Sequence, residues 1–258
     1  MSRIQKAFTG HKALIPFITC GDPDLLTTEA LVLKLAEAGA DLIELGIPFS
    51  DPTAEGPVIM KASERALNSG TTTDRIFEMT ERLRIKTEIP LLFMTYANVV
   101  YSYGSERFLS RCEQIGIDGL ILPDVPYEEK EEFSEICERH GVDLVSMIAP
   151  TSEQRISMIA QEAKGFVYIV SSLGVTGVRS SIQTDIRPMT DVIRSITDVP
   201  CAVGFGISTP EQAACMAGLS DGAIVGSAIV RLIEQYGKDC LEPVYEYVSS
   251  LAAAVHAL

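Results

Sequence analysis

Glu44 sits inside Leu42-Ile43-Glu44-Leu45-Gly46, a run whose other residues suit a strand buried on both faces. A lone carboxylate there costs several kcal/mol unless it is hydrogen-bonded, paired or protonated. Near the C-terminal end of a barrel strand it is placed for general acid/base work, with desolvation raising its pKa toward neutrality. The competing reading is a structural carboxylate satisfied by a backbone group or a tyrosine hydroxyl. The loop that follows, Pro48-Phe49-Ser50-Asp51-Pro52-Thr53-Ala54-Glu55-Gly56-Pro57, adds two carboxylates among three prolines and a glycine. Proline restricts a loop of that length to few conformations. Glu55 is positioned to reach over the mouth of a barrel, and Asp51 to serve a partner surface or a local cap; turn-forming acids in solvent remain the bland alternative for both.

A second constellation is rich in glycine. Gly174-Val175-Thr176-Gly177 follows the sixth predicted strand, Gly204-Phe205-Gly206-Ile207-Ser208 ends the seventh, and Gly226-Ser227-Ala228 ends the eighth where a helix begins. Barrels bind phosphate at this place, with loop amides and a helix N-terminus supplying the positive potential. No GxGxxG follows the first predicted strand, which disfavours a dinucleotide. The three histidines, His11, His140 and His256, fall near the N-terminus, at a helix end and in the tail, so neither a Ser-His-Asp triad nor a histidine metal site is expected. No lysine lies within a predicted strand, which argues against a barrel Schiff base. Carboxylate chemistry beside a bound phosphate remains, with Tyr96 and Tyr168 as the aromatic candidates for positioning the base.

The elements that must position these groups are readable from hydrophobic patterning. Apolar runs predict strands at 14–20, 42–47, 91–96, 119–122, 144–148, 167–171, 201–205 and 223–225, separated by helical patterns at 27–38, 74–86, 105–115, 128–140, 153–163, 186–196 and 210–217. Eight strands alternating with helices imply parallel right-handed crossovers and a closed (β/α)8 TIM barrel. The whole chain, 1–258, reads as a single domain of that kind, with extra helices in the second βα connection (57–68) and at the C-terminus (239–258), the latter closing the bottom of the barrel or packing beside its eighth helix. Three tags, Ala38-Gly39-Ala40-Asp41, Ile115-Gly116-Ile117-Asp118 and His140-Gly141-Val142-Asp143, each end a helix and open a strand.

Composition excludes several classes. With 21 basic against 35 acidic residues the net charge is −14, and no run of Lys or Arg offers a surface for nucleic acid or anionic membrane. The six cysteines show no CxxC spacing, so buried reduced thiols are expected. The first ten residues lack the apolar core of a signal peptide and no apolar stretch is long enough to span a bilayer, so a cytoplasmic location is expected.

The chain resembles the tryptophan synthase alpha subunit family. Leu42 to Pro52 carries the most specific match, and Pro16-Phe17-Ile18-Thr19-Cys20-Gly21-Asp22-Pro23, Tyr96-Ala97-Asn98, Leu122-Pro123-Asp124-Val125-Pro126 and the three glycine motifs stand in family order. The resemblance implies a lyase of tryptophan biosynthesis, cleaving indole-3-glycerol phosphate to indole and glyceraldehyde 3-phosphate in a retro-aldol step. It assigns Glu44 as acid/base, Glu55 as the carboxylate on the indole N–H and Tyr168 as the tyrosine beside the base. Phe17, Met94 and Phe205 become pocket walls, Gly177, Gly206, Gly226 and Ser227 the phosphate cradle, and Tyr96 and Thr176 complete the substrate-binding set. It further implies a beta subunit, in an αββα heterotetramer, that holds pyridoxal phosphate (PLP) and receives the indole through a tunnel. No cofactor or metal is implied for this chain. Asp51, Pro52, Pro57 and Met60 fall on the implied interface, and 177–185 on a lid that closes over ligand. Two positions depart from the family's usual residues: Glu55 stands where aspartate is usual, and Thr53 where an aliphatic residue is. They motivate an alternative, an alpha subunit of weakened turnover acting mainly as allosteric activator of the beta subunit. A third reading, another phosphate-binding barrel of amino-acid biosynthesis, leaves the strand-two loop unexplained.

Overall fold

The computed structural model describes residues 2–170, 186–204 and 206–258. Its strands are β1 (Ala13–Thr19), β2 (Ile43–Gly46), β3 (Leu91–Met94), β4 (Gly119–Ile121), β5 (Asp143–Leu144), β6 (Ser146–Ile148), β7 (Val167–Val170), β8 (Cys201–Gly204) and β9 (Gly222–Val225). All pair in parallel, in the order β5-β4-β3-β2-β1-β9-β8-β7-β6. β5 and β6 are two halves of the fifth predicted strand, interrupted at Val145, whose N–H still donates to the Leu120 carbonyl at 2.9 Å. The first half pairs with β4 and the second with β7, so the sheet closes into the expected eight-stranded TIM barrel.

The runs are continuous because each strand is covered twice. Outward-facing Leu14, Ile43, Phe93, Leu120 and Val203 pack under the ring of helices, while inward-facing Ile15, Leu42, Leu92, Ile121, Phe166 and Ile224 fill the barrel. The glycines of the three helix-to-strand tags adopt φ of 99°, 71° and 63° at Gly39, Gly116 and Gly141, the left-handed conformation that ends a helix. Five of the cysteines are buried and Cys215 is exposed.

The extra helix of the second connection spans Pro57–Asn68, as read from the sequence, with Pro57 in its first turn. The tail forms a helix, Leu241–His256, which packs in the outer ring beside Pro210–Leu219, Leu25–Glu37 and Ser227–Tyr236. It therefore lies beside the helix after the last strand, and the bottom of the barrel is filled from the other terminus. The short helix Arg3–Ala7 places Ile4 and Ala7 among the inward-facing residues of the barrel. A helix at Ala97–Tyr103, which the hydrophobic pattern does not announce, follows β3.

Candidate active site

Strand alternation puts Glu44 on the inward face with Leu42 and Gly46, in register with Phe17 on β1 and Leu92 on β3. Its side chain is fully buried and, among the described residues, neither carboxylate oxygen has a hydrogen-bond partner. Burial alone pushes its carboxyl up to about 8. Among the described residues, the reading of Glu44 as a carboxylate satisfied by backbone or by a tyrosine hydroxyl thus has no hydrogen bond behind it. Glu44 instead opens onto a cavity at the C-terminal mouth of the barrel, the face where barrel enzymes do chemistry.

Glu55 lines the same cavity from above. Burial raises its carboxyl to about 7, a shift opposed by a hydrogen bond with the Tyr96 hydroxyl. That hydroxyl also accepts the Ala54 N–H at 3.1 Å, and the Tyr96 ring packs on Phe49 with centroids 5.3 Å apart. Tyr96 is absent from the cavity lining. Among the described residues its hydroxyl and ring contact the Phe49–Glu55 loop, where it braces the second carboxylate.

The far end of this loop is fixed by the Pro57–Asn68 helix. Ile59 and Ala62 pack with Phe17 and Val230 into a small apolar cluster. Arg65 donates to both oxygens of Asp22, each at 2.8 Å, and to Glu234 at 3.0 Å. Asp22 is 1% exposed, so this bidentate pair ties the helix to the end of β1 in a low-dielectric setting. Sequence reading passed over Arg65; the apolar spacing of the helix gave no sign that its one buried-side cation had a partner 43 residues away.

Tyr168 extends from β7 into the cavity beside Glu44. Burial is the main reason that its hydroxyl stays protonated, and the negative charge of Glu44 adds to it. Gly204 makes room for it: a Cβ there would stand 2.3 Å from the Tyr168 hydroxyl oxygen. Gly46 is required in the same way, since its Cβ would stand 2.6 Å from Cζ of Phe17. Phe17, Met94, Met147, Ile59, Ile207 and Ile224 supply an apolar wall, enough to receive a flat aromatic ring.

Opposite the carboxylates the cavity meets Gly206, Gly226 and Ser227. Gly226 is the cap of the helix Ser227–Tyr236, so the first amides of that helix and the Ser227 hydroxyl converge on the cavity, a setting that favours an anion. Thr176, Gly177, Phe205 and the predicted lid at 177–185 lie outside the described residues. Asp51 and Pro57 are exposed, Met60 is 39% exposed and Pro52 is half-buried; all four lie on or just after the loop that carries Glu55.

Comparison with known proteins agrees with this geometry. The family model described as tryptophan synthase alpha chain matches residues 4–256. A tryptophan synthase alpha chain from a Thermoanaerobacter species is 48% identical, with 97% of this chain and 98% of the relative aligned. Among solved structures, the tryptophan synthase of Mycobacterium tuberculosis superposes with a TM-score of 0.90 at 32% identity, covering 99% of this chain and 98% of that one. A chain of the tryptophan synthase α2β2 complex from Pyrococcus furiosus gives 0.85 at 34% identity, covering 94% and 99%. With a family model spanning nearly every residue, close relatives aligned over almost their full length and the barrel shared with solved members, the chain belongs to the tryptophan synthase alpha chain family.

Proposed function

We propose that the chain is the lyase of its tryptophan synthase: it cleaves indole-3-glycerol phosphate to indole and glyceraldehyde 3-phosphate and delivers the indole to a beta subunit. The observation that carries this reading is the pair of carboxyls, Glu44 and Glu55, raised by burial on one apolar cavity that ends in a helix N-terminus. The phosphate sits on the amides of Gly206, Gly226 and Ser227, and the indole ring lies against Phe17, Met94 and Ile224. At neutral pH Glu44 holds its proton and gives it to indole C3. Positive charge then develops on the indole nitrogen, whose N–H is accepted by Glu55, the more acidic of the two. The bond from C3 to the glycerol carbon breaks with its electron pair returning to the ring. Glu44, now a carboxylate, takes the proton of the hydroxyl on that carbon as it becomes the aldehyde, so the proton lost by the hydroxyl replaces the one given to C3. Tyr168 stays neutral beside Glu44 and walls off that side of its carboxyl.

The step moves only protons and one C–C electron pair and so calls on no cofactor in this chain. PLP is assigned to the beta subunit, in an αββα assembly like the α2β2 complex of the Pyrococcus relative. Asp51, Pro52, Pro57 and Met60 form the contact, which places the partner over the loop that carries Glu55. Glu44→Gln is expected to lower indole release from indole-3-glycerol phosphate at least ~1,000-fold while a phosphate-bearing substrate analogue still binds within a few-fold. Indole release at the unsubstituted rate would remove Glu44 from the mechanism. Absence of indole from the unsubstituted chain, alone and with its beta subunit, would end the lyase reading and leave the activator reading.

A further inference from the structure

Two of the chain's three histidines, scattered in the sequence and so not expected to form a metal site, are brought together by the fold. His11 precedes β1, His256 ends the tail helix, and both rings point at Asp41, the residue that opens the connection into β2. Nε2 of His11 lies 2.7 Å from Oδ1 of Asp41 and Nε2 of His256 lies 2.9 Å from Oδ2. The rings meet edge to face with centroids 4.4 Å apart, and the three ligand atoms all fall within 4.8 Å of one another.

We propose that His11, Asp41 and His256 bind a divalent transition-metal ion of the zinc class at the N-terminal end of the barrel, on the face opposite the catalytic cavity. Two imidazoles and one carboxylate are a donor set suited to zinc, cobalt or nickel, with water completing the coordination. Ligand atoms held about 2.0–2.1 Å from one ion stand roughly 3.0–3.4 Å apart, so the two His–Asp pairs, at 2.7 and 2.9 Å, need open by only a few tenths of an ångström, and the two imidazole nitrogens, within 4.8 Å of each other, adjust by rotation of partly exposed rings. The carboxylate is already fixed. Oδ2 of Asp41 also accepts the Leu14 N–H at 2.8 Å while the Asp41 N–H donates to the Leu14 carbonyl at 3.0 Å, so the backbone holds the carboxylate between the two imidazoles and an ion would take the place of the direct contact between His11 and Oδ1. His11 and His256 keep 39% and 30% of their side-chain surface exposed against 13% for Asp41, so ion and water have an approach from solvent. His140 is the contrast: each of its ring nitrogens faces an exposed glutamate, Glu113 at 2.7 Å and Glu106 at 3.0 Å, with no second imidazole beside it. The ion would join the two ends of the chain to the start of β2. This site is independent of the lyase reading, because it shares no residue with the cavity.

The test uses the full chain without an affinity tag, stripped with a chelator, titrated with Zn2+ by calorimetry and with Co2+ by visible absorption. One ion per chain is expected, bound with a dissociation constant below about 100 µM, together with a rise in Tm of at least ~2 °C in the presence of excess Zn2+. His11→Gln and His256→Gln, both at partly exposed positions, should each weaken binding at least ~10-fold, and His140→Gln should leave it unchanged. No saturable binding below about 100 µM, or binding that either His11→Gln or His256→Gln leaves intact, would overturn the proposal.

Discussion

The burial that lets Glu44 hold a proton at neutral pH also works against the fold. Its carboxyl titrates at about 8 in the folded chain, far above its ordinary value. Below the unfolded value both states carry the proton and stability is independent of it. Between the two values the folded chain retains a proton that the unfolded chain has released. Stability therefore falls as pH rises and levels off above about 8. Glu44→Gln keeps the shape and removes the titration, so it is expected to raise Tm by roughly 3–6 °C at pH 8 and far less at pH 4.5. Equal Tm values for the two proteins throughout this range would mean that the carboxyl is solvated in the fold. Glu55 meets a different problem: one methylene more than the aspartate usual in the family extends its carboxylate by about 1.5 Å. The Tyr96 hydroxyl constrains it, binding Glu55 and the preceding Ala54 amide together. Glu44 was legible in the sequence because a charge in an apolar run is an anomaly on its own. The brace on Glu55 was not, since a tyrosine ending a strand has the same appearance whether it faces a ligand or a loop.

At the scale of elements, the helix Pro57–Asn68 sets where the Glu55 loop lands, and its anchor is an ion pair whose acidic partner is almost wholly buried. Arg65→Met would leave the Asp22 charge without its partner, a change expected to cost about 2–4 kcal/mol. Urea unfolding measures it, and indole release should fall as well because the loop loses its footing. Adding Asp22→Asn to Arg65→Met should restore part of the stability; a double variant as weak as the single one would show that packing, not the stranded charge, is what Arg65 supplies. The strands that hold this assembly were readable because burial on two faces makes a run continuous, and the added helix because a proline opens it and an amphipathic pattern continues. The Ala97–Tyr103 helix was not, since its seven residues make only two turns, too few to show a helical period, and Val100 alone among them is fully buried. The gap at Val145 that divides the fifth strand was likewise invisible, because valine suits a strand whether or not its own position is paired on both sides. The convergence of His11 and His256 on Asp41 depends on contacts across 30 and 215 residues, which no local pattern encodes.

The whole molecule separates its two ends by purpose. The net charge of −14 is no obstacle to the proposed phosphate recognition, because glycine backbone and a helix N-terminus line the mouth, and these favour an anion without side-chain cations. The opposite end is closed by a segment of only five helical residues, Arg3–Ala7. It is secured by a capping box between Ser2 and Gln5, and by Arg3, which donates to Asp118 at 2.6 Å and to the Gly116 carbonyl at 2.9 Å. Ile4 is fully buried beneath the barrel, close enough that a Cβ on Gly119 or Gly165 would come within 3.2 and 3.3 Å of its Cδ1. The first turn is thus a stopper, and in a barrel the lower face is expected to govern stability while the upper face governs turnover. Ile4→Ala should open a cavity and cost about 2–4 kcal/mol in urea unfolding, yet leave the kcat of indole release within about twofold at a temperature well below Tm. A stability loss under ~0.5 kcal/mol would mean that the barrel floor collapses to fill the space. A fall in kcat of tenfold or more with the chain still folded would show that the floor and the mouth move together, through the apolar cluster that contains Ile4 together with Leu92, Ile224 and Tyr168.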